Sequence, residues 1–396
     1  MTLSFRPARE DDLERLLDIH TSAFPDPRGR LARTRNFQKN ALGAFSDLHV
    51  AVDDDTVLAH AFLFPLEAWF GGVRVKVGGI ATVGVAPEVR GRSVGSRLVR
   101  HLHEMALARG DALAVLYPFR QGFYTRLGYA ATSTYRRLRL HPASIPWKLR
   151  LQARAAVGAD REALVACLEA AAMRRTGTLA RTSRAWESRL ADERRTWLVV
   201  EGPGGVEGYV VWTMEQREPH AETAIQVREL VARTAAAERE LWALVGAQRD
   251  QVAVVHVDVA ADDPIEHALV DADRTRFGDG DIEHTLGEVA SGPMVRMLEA
   301  TRALEARGWP SDGALVLAVG GETLEVTAKG GRATVVPSRA EAHVRLAAPA
   351  LAAVAFGALP VARAARLGWL TARDARALAL ADALLALPPY FSPDPF

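Results

Sequence analysis

The chain has 396 residues, enough for two to four domains of roughly 100–200 residues each. With 49% apolar and 24% charged residues it has ample core, and its net charge of +1 supplies no global field for nucleic acid or an anionic membrane. A single cysteine, Cys167, excludes an intrachain disulfide and a multi-cysteine metal site; the start has no leader-like pattern and no apolar run reaches the roughly 20 residues of a membrane span, so a soluble cytoplasmic protein is expected.

Strands and helices alternate through the first third. Residues 4–8 read as a strand and 11–23 as a helix, with Leu13, Leu16, Leu17 and His20 on one stripe. A second helix is expected over 31–45. Residues 48–52 and 56–65 form a hairpin over three aspartates, and 73–85 carries the next long strands. A glycine-punctuated turn at 90–95 opens a helix over 96–109 that stops before Gly110. Residues 112–117 are a buried strand, 121–127 a short helix, and Tyr129 begins a last strand. The class is mixed α/β with an interrupted sheet.

After a linker or crossing strand at 145–154 the order repeats. Residues 160–173 are helical, 197–201 and 208–214 make a hairpin, 226–233 is a strand, 238–250 a helix and 252–259 a strand. The run 226–259 echoes 80–117, which points to a duplicated fold. In place of the glycine turn the second copy has Thr234–Glu240, with three alanines, two glutamates and no glycine. Loss of phosphate binding is expected there. The last unit begins with an amphipathic helix over 295–307. Short strands follow at 313–319, 322–328, 333–336 and 342–346, then Ala/Leu-rich helices at 349–356 and 371–387 and a proline- and aromatic-rich tail. The three domains are expected at 1–144, 145–288 and 289–396.

The sharpest chemical signal is the run 82–96, a strand, a tight basic turn and a helix start. Helix N-terminal amides and the macrodipole make a site for a pyrophosphate. Gly91 and Gly95 let the backbone come close, and Arg90 and Arg92 add charge. Neither the G-x-G-x-x-G dinucleotide pattern nor a P-loop is present.

Arg90–Gly95 resembles the Gln/Arg-x-x-Gly-x-Gly/Ala signature of the GCN5-related N-acetyltransferases (GNAT), with Ser93 where that signature prefers glycine. Residues 5–13 and 123–129 look like that family's start and end. In order and length the whole chain resembles the enhanced intracellular survival (Eis) type. That resemblance implies an α/β fold of tandem GNAT domains, the second degenerate, followed by a sterol-carrier-like domain. It implies acetyl-CoA as co-substrate and no metal, with Arg90, Gly91, Arg92, Ser93, Val94, Gly95 and Ser96 at the pyrophosphate and Val83, Gly84 and Val85 at the pantetheine. Phe119 and Arg120 complete the cofactor set. It further implies Tyr124 as general acid, the terminal carboxylate of Phe396 as base, a homohexamer, and amine acceptors such as aminoglycosides or polyamine-like cations.

Transfer from a thioester to an amine needs a proton removed from the ammonium and one supplied to the leaving thiolate. A tyrosine of pKa about 10 suits the second task; an α-carboxylate near 3.5 is a weak base unless burial raises it. Selecting a cationic amine needs carboxylates and aromatic walls. Asp26 and Asp394 are the candidate anchors, and Phe24, Phe37 and Trp69 the candidate walls. Direct attack is expected, since the only cysteine lies outside the first domain.

Other constellations fail. His101 and His103, two apart on a helix, point to different faces, and His49, His60, His256, His267 and His284 lack metal-ligand spacing. The aspartates 53–55 are a hairpin tip, and the arginine-rich stretches 28–35 and 136–139 lack the surrounding charge of a nucleic-acid binder. Two competing functions remain: a lipid- or partner-binding module using the sterol-carrier-like end, and an acetyltransferase acting on protein lysines.

Overall fold

Alternating apolar stretches pair into three sheets in the computed structural model, which describes residues 2–24, 29–215, 223–270, 285–357, 359–394 and 396. The first sheet runs Ser4–Pro7, Leu48–Asp53, Thr56–Phe70, Val73–Val85, Leu113–Leu116, Met294–Met297, Ala130–Ala131. Its aspartate hairpin closes with Asp54 and Asp55 both in left-handed backbone (φ 46° and 66°), the turn geometry that matches strand twist. Helix Leu13–Ala23 buries Leu16, Leu17, Ile19 and His20, and helix Val94–Arg109 packs on the two long strands.

The second sheet runs Gly287–Ser291, Thr134–Leu140, Val254–Ala260, Ala224–Ala232, Gly205–Glu215, Arg195–Gly202, Gln152–Ala155. Strands Ala224–Ala232 and Val254–Ala260 are parallel and joined through helix Ala235–Gly246. This repeats the unit made by Val73–Val85, Val94–Arg109 and Leu113–Leu116.

Sheet membership crosses positions 144 and 289. Thr134–Leu140 joins the second sheet, between Val254–Ala260 and Gly287–Ser291, while Met294–Met297 returns to the first and pairs with Leu113–Leu116. The helix expected over 295–307 is therefore corrected: a strand comes first, and the helix is only Ala300–Ala306. Four apolar-rich residues do not distinguish helix from strand by period, and the open edge of Leu113–Leu116 decides for strand.

The third sheet runs Arg332–Pro337, Glu322–Lys329, Gly313–Val319, Val344–Leu346, Leu370–Ala372. The last helix starts at Ala375 rather than 371, because Leu370–Ala372 pairs as a strand and Asp374 caps the helix, its Oδ1 accepting the Ala377 N–H at 2.8 Å. Helices Ala348–Ala355 and Ala375–Leu385 both end on the fully buried Arg307 guanidinium, which donates to Ala355 O and Leu385 O. Burial pushes Arg307 down to about 9; the two negative helix ends face its charge where no carboxylate pairs with it among the described residues.

The three units meet at residues 176–181. Beyond Phe62 the strand Thr56–Phe70 has a free edge, and the chain docks on it: Gly177 N–H donates to Trp69 O (2.7 Å), Trp69 N–H to Thr178 O (2.9 Å) and Ala180 N–H to Glu67 O (2.9 Å). No helix among the described residues is long and apolar enough to cross a membrane.

Candidate active site

The site begins where two parallel strands separate. Val73–Val85 pairs with Leu113–Leu116 only from Val77↔Leu113 to Gly79↔Val115. Past that point Val73–Val85 continues alone on this side. Its other side carries a bulge, with the register to Thr56–Phe70 shifting between His60 and Phe62 and Thr82 in left-handed backbone at φ 52°. A bulge re-aims backbone groups, here inside the parted stretch.

The turn that follows is built by its arginines and glycines. Arg90 donates from Nε to Val85 O (3.1 Å) and from Nη2 to Ser22 O and Oγ (3.2 and 3.1 Å), tying the strand end to the end of the first helix. Gly91 takes φ +82° and Ser93 φ +61°, so the serine adopts the turn that glycine would take at a cost of about 1–2 kcal/mol. Ser96 Oγ donates to Ser93 O at 2.9 Å, and Gly95 lets the helix approach the strand, since a Cβ there would lie 3.0 Å from Val85 Cγ2. The first N–H groups of helix Val94–Arg109 have no partner within the helix and open onto the cleft.

That cleft measures about 850 Å³. Val83, Val85, Arg90, Gly91, Ser93, Val94, Gly95, Ser96, Phe119 and Arg120 line it, as does Phe24. Gly84 turns the other way, packed so closely on His60 that a Cβ would meet Nε2 at 2.5 Å, and Arg92 does not line it. Sequence reasoning missed Arg100 and Arg126, which also line the cleft and, like Arg120, form no ion pair among the described residues. Their spacing from the glycine turn gave no signal, because a helix and a return loop bring them back to it.

Tyr124 lies on helix Gln121–Thr125, 2% exposed, with ring centroids of Phe123, Phe119 and Tyr129 at 4.9, 5.7 and 5.8 Å. Burial pushes its hydroxyl above the ordinary phenol value, so it stays protonated and able to donate. Neighbouring Tyr129 is already engaged, its hydroxyl 2.8 Å from His103 Nε2.

Phe396 reaches the separation point from the other side. Its ring stands 5.4 Å from Tyr117 at 77°, and a Cβ on Gly79 would come within 3.2 Å of its Cε2. It lines a second cavity of about 460 Å³ with Ala81, Thr82, Phe64, Asn36 and Asn40 of the first sheet region and Ser188, Arg189, Asp192 and Arg195 of the middle region. The bulged strand is the shared wall, giving Val83 and Val85 to the cleft and Ala81 and Thr82 to the cavity. Asp192 is held well below the usual carboxylate range by hydrogen bonds from Arg194 and Arg195.

The expected acceptor residues do not gather in this cavity. Phe37 is fully buried against His20 and His60, at 5.0 and 5.4 Å. Trp69 sits at the far end of its strand, nine positions from His60 or about 30 Å at ~3.3 Å per residue, under the Arg74 guanidinium. Asp394 is 2% exposed and accepts from Arg181 at 3.0 Å and from Arg189. Asp26 lies outside the described residues. Residue type names aromatic walls and anchors, but not the face they occupy.

The second copy of the unit is nearly closed on its helix side. Its strands separate after Val227↔Val257; the space beside helix Ala235–Gly246 is about 110 Å³, while a separate cavity of about 740 Å³ is lined by Gln226, Val227, Arg228 and Asp258. Glu238 and Asp263 line the smaller space, both pushed up by burial, Glu238 also by the Asp263 charge; two carboxylates stand where an anion would have to enter. Cys167 is buried in the middle region and its thiol pushed up to about 11 by burial, so it is no nucleophile at neutral pH. No cluster of three or more metal-ligating side chains occurs among the described residues.

Residues 4–132 match an acetyltransferase (GNAT) domain family, 177–297 a second acetyltransferase (GNAT) domain family, and 300–392 the sterol carrier protein domain family. A protein of Streptomyces avermitilis described as an uncharacterized N-acetyltransferase is 28% identical over 363 residues, covering 85% of this chain and 84% of that one. The GCN5-related N-acetyltransferase structure from Kribbella flavida superposes with a TM-score of 0.84 at 25% identity, covering 100% of this chain and 98% of that one. The counterpart from Anabaena variabilis gives 0.85 at 21%, and Eis1 from Mycobacterium abscessus 0.79 at 20%, each covering 100% of both chains.

Proposed function

Starting from a GNAT N-acetyltransferase with two acetyltransferase domains and a sterol carrier protein domain, we propose that it transfers the acetyl group of acetyl-CoA directly to a primary amine of a small cationic acceptor. The observation that carries this reading is the shared wall: one bulged strand, with the glycine turn and cleft on one side and Phe396 in a separate cavity on the other. Two substrates can meet across it at the strand separation.

The diphosphate of the cofactor is read onto the amides of the turn, Arg90 to Ser96, and the Arg90 side chain, and the pantetheine onto Val83 and Val85. The amine nitrogen attacks the thioester carbonyl, a C–N bond forms, and the C–S bond breaks. Tyr124, kept neutral by burial, gives its proton to the departing thiolate and is reprotonated by the second proton that the nitrogen sheds as the amide forms. The α-carboxylate of Phe396 takes the ammonium proton or holds the cation beside the wall. Asp192 is committed to its two arginines, which leaves the terminal carboxylate as the group suited to one ammonium.

Aminoglycosides and polyamine-like molecules are the acceptors proposed first, and a cytoplasmic hexamer the proposed form. The decisive experiment follows coenzyme A thiol release with a panel of such amines and with lysine peptides, using the parent and a chain lacking Phe396. Turnover of a small amine that collapses with Phe396 deletion supports the reading. Equal turnover by both proteins, or peptides as the sole acceptors, overturns it.

A further inference from the structure

The tail after helix Ala375–Leu385 is held more tightly than a chain end needs to be. Tyr390, 1% exposed, packs over Gly177, and its N–H donates to Gly357 O at 3.1 Å. Phe391 N–H donates to Thr176 O at 2.8 Å, and its carbonyl accepts from Thr178 Oγ1 at 3.3 Å. Three residues on, Asp394 enters a cluster of buried charges. Arg181 lies 2.9 Å from Asp394 and 2.8 Å from Glu229; Arg189 lies 3.1 Å from Glu229 and also pairs with Asp394; Tyr209 donates to Glu229 at 3.0 Å. The side chains of Arg181, Glu229 and Asp394 are 1%, 0% and 3% exposed.

The place of Glu229 gives this cluster its meaning. It stands two residues past the last parallel pair of the middle sheet, Val227↔Val257, inside the parted stretch. In the first domain the matching stretch divides the 850 Å³ cleft from the 460 Å³ cavity; here it borders the 110 Å³ space and a cavity of about 740 Å³, and Phe391 and Pro393 of the tail line both. The tail thus passes one separation of strands at 391–394 and ends at the other with Phe396. Arg195 also lies 4.0 Å from Glu229 at the edge of the cluster. Burying carboxylates and guanidiniums is costly unless they are matched, and removing one leaves an uncompensated charge, so the cluster tolerates one tail position.

We propose that the parted strands of the middle domain serve as a dock for the chain's own tail, and that Asp394, held by Arg181 and Arg189, is the positioning residue that sets where the terminal carboxylate stands. The proposal rests on the reading in which that carboxylate takes part in the transfer. It assigns the second acetyltransferase domain a task in the reaction of the first.

The test compares three full-length variants with the parent: Asp394→Asn, Arg189→Gln as a milder change should the first fail to fold, and a chain with one glycine added after Phe396. The readouts are kcat, KM for acetyl-CoA, coenzyme A affinity by calorimetry, and hydrogen–deuterium exchange of the C-terminal peptide. Either substitution is expected to raise tail exchange at least tenfold and lower kcat at least tenfold, with coenzyme A affinity within twofold of the parent. A tail as protected as the parent's, or a freed tail with undiminished kcat, overturns the proposal. If the added glycine leaves kcat intact while Asp394→Asn lowers it, the carboxylate's chemical role is lost and the docking role stands. If the glycine cripples kcat and neither substitution does, the docking role is lost instead.

Discussion

Gly79 and Phe396 are in contact, with Phe396 Cε2 3.2 Å from the point where a Gly79 Cβ would stand. Gly79 is also the last residue of its strand to pair with Leu113–Leu116. The Phe396 side chain therefore fills the space a glycine leaves open at the point of separation. An added Cβ would also lie 2.5 Å from Leu66 Cδ1, so the neighbourhood has little slack. Gly79→Ala should displace the Phe396 ring and lower kcat by about tenfold or more, with a stability loss of about 1–3 kcal/mol from overpacking. Steady-state kinetics beside a thermal melt checks this; unchanged kcat in a folded variant removes the contact from the reaction.

Tyr124→Phe removes one hydroxyl and keeps the three aromatic contacts. Turnover should fall by about 10²–10⁴-fold, the usual scale for a general acid, while coenzyme A affinity stays the same. Single-turnover rates with calorimetry on the same sample separate chemistry from binding. Undiminished turnover would discard Tyr124 as the donor.

Calorimetric titration of the intact chain with coenzyme A should give one site per subunit. The first cleft, about 850 Å³, falls within the size range of ligand sites, and its counterpart on the helix side of the second unit, about 110 Å³ with Glu238 and Asp263 inside, falls below it. Glu238→Gln should leave the count at one; two sites in the parent would show that the second unit binds cofactor after all.

Stability should fall steeply in mild acid. Burial pushes His60 down to about 3, aided by nearby His20; His103 to about 3, aided by Arg296 and Arg100; and His49 to about 4, aided by His101. In the unfolded chain each titrates near 6.5, so between pH 6.5 and about 4 the unfolded state binds more protons and unfolding gains ground as pH drops. At pH 5 each histidine contributes about 2 kcal/mol to that loss. Denaturant melts from pH 7.5 to 5 should show the slope, and His103→Asn should reduce it by about one proton. A flat profile would mean that these rings are not neutral and sealed.

The glycine turn was legible because its chemistry is local: a strand, left-handed turn positions and a helix start lie within fifteen residues of sequence. The duplicated strand–helix–strand unit was legible for the same reason, since apolar period and breakers recur in order. What sequence left dark is set by pairings across long separations. Met294–Met297 becomes a strand because Leu113–Leu116 offers it an edge, and no local preference records that edge. Asp394 looked free to receive a cation because Arg181 and Arg189, more than 200 positions away, were invisible as its partners. The walls Phe37 and Trp69 were read from residue type, yet the packed face of helix Gly29–Gln38 sends Phe37 into the core and strand register carries Trp69 to the junction at Thr178.

The exchange of strands between the first two sheets bears on how the protein is made. The first sheet gains Met294–Met297 only after the whole middle domain has been synthesised. At about 5–20 residues per second, the delay from Ala131 to Met294 is roughly 10–30 s on the ribosome. During that interval the emerging first sheet carries a bare β-edge at Leu113–Leu116, and a chain stalled or cut short there would stay prone to stick to others.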